Sequence, residues 1–288
     1  MGEMLDNKII KKISDYVYAK PRNIQEIAQL IDKNWRTANN YVEKIAKEDG
    51  TISIRTFRGG TRGALKVVYW NNIEKIHSSD FQERLFRKIE AGTRKTDFSP
   101  LDIYQYVDED KRDAFLEEQE EEKATTRQDL VNLFRATQNQ ILFFSGNMSW
   151  ANLKQGNKKM IDILEELAKN KISMKMLTRI DVTGIKNLQK MMAINEAVGR
   201  EAIEIRHCEQ PLRSFIVDNK IARFKEIKNP GDYRKHELRK KTFIFYGITD
   251  TEWIEWLQKV FWNLFRTSIP ANKRLADLNS IQNITKTL

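Results

Sequence analysis

The sequence predicts two folded units of different class joined by a connector: an α+β unit over residues 1–75, a helical acidic connector over 76–137, and an α/β unit over 138–288. Three observations carry this division. The spacing of apolar residues changes from about 3.6 to 2 directly after Gly50, so helices give way to strands there. Carboxylates dominate from Asp108 to Lys123, with Glu117, Glu118, Glu120, Glu121 and Glu122 nearly consecutive. From Ile141 onward, short apolar runs alternate with amphipathic stretches, the pattern of α/β layering. At 288 residues the chain exceeds the usual single-domain size, and each unit is large enough to bury its own core.

In the first unit, Leu5, Ile9, Ile13 and Val17 lie four residues apart and predict a helix over Met4 to Ala19, stopped by Pro21. Asn23, with Glu26 three residues later, predicts a capping box opening a second helix that buries Ile24, Ile27, Ala28 and Ile31. Asp32 to Asn34 makes a turn into a third helix from Trp35 to Glu48, whose inner face carries Ala38, Tyr41 or Val42, and Ile45; Gly50 ends it. Ile52 to Phe57 and Leu65 to Trp70 then alternate as two strands of a hairpin tipped by Gly59, Gly60 and Gly63.

Two helices joined by a short turn present the second helix to a DNA groove, with its N-terminal residues against base edges. Arg36, Asn40 and Lys44 line up opposite the apolar face of the third helix, flanked by Thr37 and Asn39. Arginine reads guanine and asparagine reads adenine, whereas Lys33 and Lys44 suit phosphate. The hairpin adds Arg55, Arg58, Arg62 and Lys66, with no carboxylate between Thr51 and Trp70. Trp35 reads as an aromatic packed in the turn. A net charge of +10 fits the polyanionic partner that these residues suggest, double-stranded DNA. The order of these elements resembles the winged helix-turn-helix domains of prokaryotic and archaeal transcription regulators.

The connector is expected to hold a short helix over Phe81 to Glu90, a helix start at Ser99, Pro100 and Asp102, and an exposed acidic helix continuing to Leu130, Leu133 and Phe134. A dimerising coiled coil and a disordered acidic stretch are the alternatives for the acidic run. In the third region the expected elements are strands at 141–144, 172–177 and 203–205, helices at 158–169 and 185–198, a hairpin of 215–217 with 221–224 around Asp218 and Asn219, a strand at 242–248 and a helix at 252–266.

Composition excludes several classes. The longest apolar runs, such as Ile141 to Phe144 and Phe243 to Tyr246, are too short to span a bilayer, so no membrane partner is expected. Glu3, Asp6 and Asp15 among the early lysines do not read as a secretory signal, and a cytoplasmic location is expected. The single cysteine, Cys208, allows neither an internal disulfide nor a cysteine-based metal cluster, and His77, His207 and His236 are scattered, so no metal site is expected. Phosphate-loop, dinucleotide and nucleophile-elbow motifs are missing from the sequence, and no cofactor is expected.

The run Pro211-Leu212-Arg213-Ser214-Phe215-Ile216-Val217-Asp218 resembles the HxKxxxxD motif of the phospholipase D superfamily. Asp218 matches, Arg213 replaces the lysine, and Pro211 stands where the nucleophilic histidine would be. Proline offers no nucleophile, and His207 lies four residues early, so the resemblance implies a scaffold without its chemistry. Arg213 and Asp218 are then candidates for an anion or effector pocket; Arg206, Arg223, Lys225 and the basic Arg234, Lys235, Arg239, Lys240 and Lys241 either add to such a pocket or extend a DNA-binding surface.

A winged helix, a helical connector and a degenerate phospholipase D-like domain, in that order, resemble archaeal TrmB-type regulators. That resemblance implies a non-enzymatic, sequence-specific DNA-binding transcription regulator, a homodimer whose last domain senses a small-molecule effector or dimerises. The alternatives are a phosphodiesterase or nuclease guided by the winged helix, and an interaction protein using the winged helix to dock a partner.

Overall fold

A computed structural model describes residues 6–19, 22–58, 64–70, 80–118, 129–232 and 240–287. The chain divides into two compact units, residues 1–76 with 258–263 and residues 77–257 with 264–288.

In the first unit, α1 (Asn7–Ala19) is followed by β1 (Arg22–Asn23), α2 (Ile24–Ile31) and α3 (Trp35–Lys44). The capping box that opens α2 is present: Glu26 N–H donates to Asn23 Oδ1 at 2.8 Å, and Asn23 N–H donates to Glu26 Oε2 at 2.8 Å. Asp32 closes α2 in the left-handed conformation, with φ 52. Asn34 caps α3 by accepting from Thr37 N–H at 2.8 Å. The expected single helix to Glu48 divides: after Lys44 the chain widens into a π-helical turn over Ile45–Asp49. Gly50, at φ 75, ends it and donates its N–H to Ile45 O at 2.9 Å.

β2 (Ile52–Arg58) and β3 (Ala64–Trp70) pair antiparallel from Ile52↔Trp70 to Arg58↔Ala64. β1 adds to the other edge of β3, giving the order β1-β3-β2. Ile13, Val17, Ile24, Ile27, Ala28, Ala38, Val42, Ile45, Ile52 and Val68 form one buried cluster. Full burial of a branched apolar side chain contributes about 1.5–3 kcal/mol, so this cluster holds the helices to the sheet. The glycine tip, Gly59 to Gly63, lies outside the described residues, as do Met4, Leu5 and Pro21.

The second unit opens with α4 (Asp80–Ala91), α5 (Leu101–Tyr104) and a short 3-10 turn over Glu109–Lys111. The acidic helix expected next is overturned over 112–118. Those residues form β4 (Arg112–Glu118), which pairs antiparallel with a later strand from Arg112↔Ile248 to Glu118↔Thr242 and ends one side of the large sheet. The charged side chains that suggested a solvated helix suit an edge strand equally, because charge on an edge discourages pairing with other chains. The rest of the acidic run, Gln119 to Lys123, lies outside the described residues.

There follow α6 (Leu130–Arg135), β5 (Gln140–Phe144), a two-stranded ribbon of β6 (Lys154–Gln155) and β7 (Lys158–Lys159), α7 (Met160–Lys169), β8 (Ser173–Thr178), α8 (Ile185–Val198) and β9 (Ile203–His207). Then come β10 (Ser214–Val217), β11 (Ile221–Lys228), β12 (Thr242–Ile248), α9 (Thr251–Thr267), β13 (Ile269–Pro270) and α10 (Ala271–Thr287). The sheet runs β13-β9-β8-β5-β10-β11-β12-β4. Only β5, β8 and β9 are mutually parallel, with α7 and α8 as crossovers; the remaining pairings are antiparallel. The second unit is therefore a mixed α/β sheet with helices packed on it. α7 buries Met160, Ile163, Leu164, Leu167 and Ala168 at helical spacing, and they join the main core with Phe134, Phe143, Met176 and Leu188. α10 and the two residues of β13 were not expected from the sequence.

Candidate functional site

The sequence placed ten residues on a DNA-facing surface, and the structure separates them into groups. Lys33, Trp35, Arg36 and Asn40 are exposed at and beyond the N-terminus of α3, while Ala38 and Val42 of the same helix are fully buried. Trp35, read from the sequence as a packed turn aromatic, is instead 46% exposed. Thr37 is half-buried, and its N–H is taken by Asn34. Lys44 is half-buried and lies 3.9 Å from Glu48.

Asn39 and Lys66 sit elsewhere. Asn39 is only 9% exposed; its Nδ2 donates to Glu43 Oε1 at 3.1 Å and its Oδ1 accepts from Lys66 Nζ at 2.7 Å. Lys66 also pairs with Glu43 at 2.7 Å. These two residues fasten the hairpin to α3. The Lys66 ammonium, helped by Asn39, holds the Glu43 carboxyl below the ordinary value of 4.5. Arg55 and Arg58 lie on β2, opposite Val67 and Ala64. Arg62 lies outside the described residues.

The second unit contains a cavity of about 350 Å³ over one face of its sheet. Register places Phe143, Phe215 and Arg223 side by side on β5, β10 and β11, with Lys225 and Phe245 beyond them. Trp150 stacks on Phe143 at 4.9 Å between ring centres, and Phe134 stands edge-on to Phe215 at 5.0 Å. Arg213, the cation expected from the motif, lines this cavity and is half-buried.

Asp218 does not line the cavity, which corrects the expectation that it shares a pocket with Arg213. It sits at φ 47 in the β10–β11 turn, followed by Asn219 at φ 59. Its carboxylate accepts three backbone N–H groups, from Gln138 at 2.7 Å, Asn139 at 2.8 Å and Gln140 at 3.0 Å. A carboxylate so occupied fixes the entry to β5. It is an architectural residue.

Pro211 is buried, and a Cβ built on Gly92 would lie 2.8 Å from its Cγ. The position that the motif resemblance aligns with a histidine is thus occupied by a ring packed close to Gly92. His207 Nδ1 accepts from Ile180 N–H at 2.9 Å, and burial pushes its pKa below 6.5. Among the described residues, no three His, Cys, Asp or Glu side chains are grouped to hold a metal ion. Among them, too, no helix is long and apolar enough to cross a membrane. The basic residues Arg234, Lys235 and Arg239 lie outside the described residues, as do His77 and His236.

No protein-family model matches the chain, and no curated protein matches its sequence. Among solved structures it is similar to Nuc, a phospholipase D family member from Salmonella typhimurium, at 12% identity and a TM-score of 0.40, over 55% of this chain and 97% of that one. It is also similar to TrmBL2, an archaeal chromatin protein with a novel mode of DNA binding, at 15% identity and 0.39, over 91% and 94%. A third is NucT from Helicobacter pylori, at 9% identity and 0.39, over 55% and 99%.

Proposed function

We propose that the first unit is a winged helix that binds double-stranded DNA, with α3 as the reading helix and the β2–β3 hairpin as the wing. The protein is then a DNA-binding transcription regulator without enzymatic activity, acting as a homodimer. The supporting observation is the division of α3 itself. Ala38 and Val42 are fully buried, while Arg36 and Asn40, the side chains suited to guanine and adenine, are exposed with Trp35 and Lys33 beside them. Buried Pro211, a residue with no nucleophilic atom, supports the absence of phosphodiesterase chemistry at that position.

The test is selection of bound sequences from random duplexes, followed by fluorescence anisotropy on the selected site and a scrambled one. Each bidentate base contact contributes about 1–3 kcal/mol of discrimination. Replacing Arg36 and Asn40 with alanine is therefore expected to remove sequence preference by about tenfold or more. Unchanged preference in that double variant would overturn the assignment of α3. Native mass spectrometry reads the dimer, which would place two reading helices roughly 34 Å, or a multiple of it, apart.

A further inference from the structure

Trp35 opens α3 directly after the cap residue Asn34 and is 46% exposed. An indole is mostly buried in folded chains, and when it is, its N–H finds an acceptor. Trp35 has neither: among the described residues its N–H meets no acceptor, its ring meets no other ring and no cation lies over it. Position explains the exposure. Trp35 begins the stripe that Ala38 and Val42, both fully buried, continue at the helical steps i+3 and i+7. Side chains of a helix lean toward its N-terminus, so the first one overhangs the end instead of covering a preceding turn. Asp32, Lys33, Asn34 and Arg36 around it are polar and exposed. Among the described residues of the first unit, Tyr18 of α1 is the only other exposed large apolar side chain, too little for the contiguous patch that marks a protein interface.

We propose that Trp35 reads a thymine: its ring packs on the C5-methyl group of one A·T pair next to the pairs that Arg36 and Asn40 contact. The inference rests on α3 being the reading helix, and it deepens that reading by naming a base. The N-terminal residues of such a helix are the ones that meet base edges. In the major groove the bases present hydrogen-bond donors and acceptors, and the apolar group of that code is the thymine methyl. An overhanging apolar ring with no partner of its own therefore matches thymine, as the guanidinium of Arg36 matches guanine and the amide of Asn40 matches adenine. Packing a methyl group on the indole removes apolar surface from water on both sides and breaks no hydrogen bond within the protein.

The test is a uracil series. The duplex that the full chain selects from random sequences is remade with each thymine in turn replaced by deoxyuridine, which removes the methyl group and keeps every base-pair hydrogen bond. Fluorescence anisotropy then gives the affinity of each duplex. The wild-type chain is expected to lose about fourfold at one position, the effect of one buried methyl group. Trp35→Ala is expected to bind the thymine and uracil duplexes equally at that position and to keep its melting temperature, since Trp35 is outside the buried cluster. Trp35→Phe, which keeps an apolar ring, is expected to restore part of the thymine preference. Labelling with 5-fluorotryptophan gives a second readout. The fluorine resonance that Trp35→Phe lacks belongs to Trp35, and it is expected to shift with the thymine duplex more than with the uracil one. A selected site without thymine, equal affinity for thymine and uracil at every position, an unchanged ratio in Trp35→Ala, or an unmoved resonance would each overturn the proposal while leaving α3 as the reading helix. A Trp35→Ala chain that loses a partner copy but keeps the thymine ratio would assign the ring to a dimer interface, against the proposal. Failure of the wild-type chain to bind any duplex would overturn the reading of α3 and the proposal together. Should Trp35→Ala unfold, the uracil series and the fluorine resonance of the wild-type chain decide.

Discussion

Lys66 on β3 donates to Asn39 Oδ1 on α3 at 2.7 Å, and the same ammonium reaches Glu43 Oε1 at 2.7 Å. One lysine therefore joins the hairpin to the proposed reading helix and fixes the angle between them. Lys66→Met is expected to cost about 1–2 kcal/mol, because it leaves the nearly buried Asn39 oxygen without that donor while the exposed ion pair contributes little. The urea midpoint of the first unit checks this. Glu43 titrates below its ordinary 4.5 in the folded chain, so the stability it adds is present above pH 4.5 and is lost as pH falls through the folded value. Lys66→Met is expected to flatten that acid limb.

Asp218 and the backbone of residues 138–140 form a second such joint. Asp218→Ala removes the acceptor of three N–H donors, and the expected loss is on the order of 3 kcal/mol in the second unit, read by denaturant unfolding. Asp218→Asn is expected to lose less, since one amide oxygen remains.

Gly92 and Pro211 pack too closely for a methyl group. Gly92→Ala would bring its Cβ within 2.8 Å of Pro211 Cγ and 3.1 Å of the Lys88 carbonyl oxygen, and overpacking of this kind costs about 1–3 kcal/mol. Pro211→Ala alone is expected to open room, so that the double variant melts above Gly92→Ala. A melting temperature for Gly92→Ala equal to wild type would contradict the contact.

His207 predicts acid sensitivity of the second unit. Its pKa is lowered chiefly by burial, then by the nearby Arg274, with Glu209 and Asp181 opposing and Arg179 reinforcing. Above pH 6.5 the ring is neutral in both states and adds no pH dependence. As pH falls through 6.5 the unfolded chain takes up the proton first, so stability declines until the folded ring also titrates. Protonation at Nδ1 also displaces the Ile180 N–H bond. His207→Asn, whose oxygen can accept that bond, is expected to remove the slope between pH 6.5 and the folded value in thermal melts.

Local chemistry made much of the fold legible. The capping box of Asn23 and Glu26, the stop at Gly50 and the whole of α8 follow from interactions within a few residues, which is why the sequence predicts them closely; β12 and the Asp218–Asn219 turn were legible from an apolar run and from turn residues, although partners far along the chain hold both. The acidic segment misled because charge density says only that side chains meet water; helix and edge strand satisfy that equally. Phe115, stacked on Phe245 at 5.0 Å, chose the strand, and its partner lies far along the chain.

By itself, then, the sequence determined the two classes of unit, the order of helices and strands from Asn23 to Trp70, most of those from Ile141 to Arg266, and that position 211 carries a proline. Only the tertiary structure decided that Asn39 and Lys66 bind each other, that Trp35 faces outward, that Asp218 supports β5, and that Arg213 lines an aromatic cavity. The physical reason is distance along the chain. Caps and turns are fixed by neighbours and survive in any context, whereas a lysine's partner or a cavity's wall depends on groups that only sheet register and packing bring together.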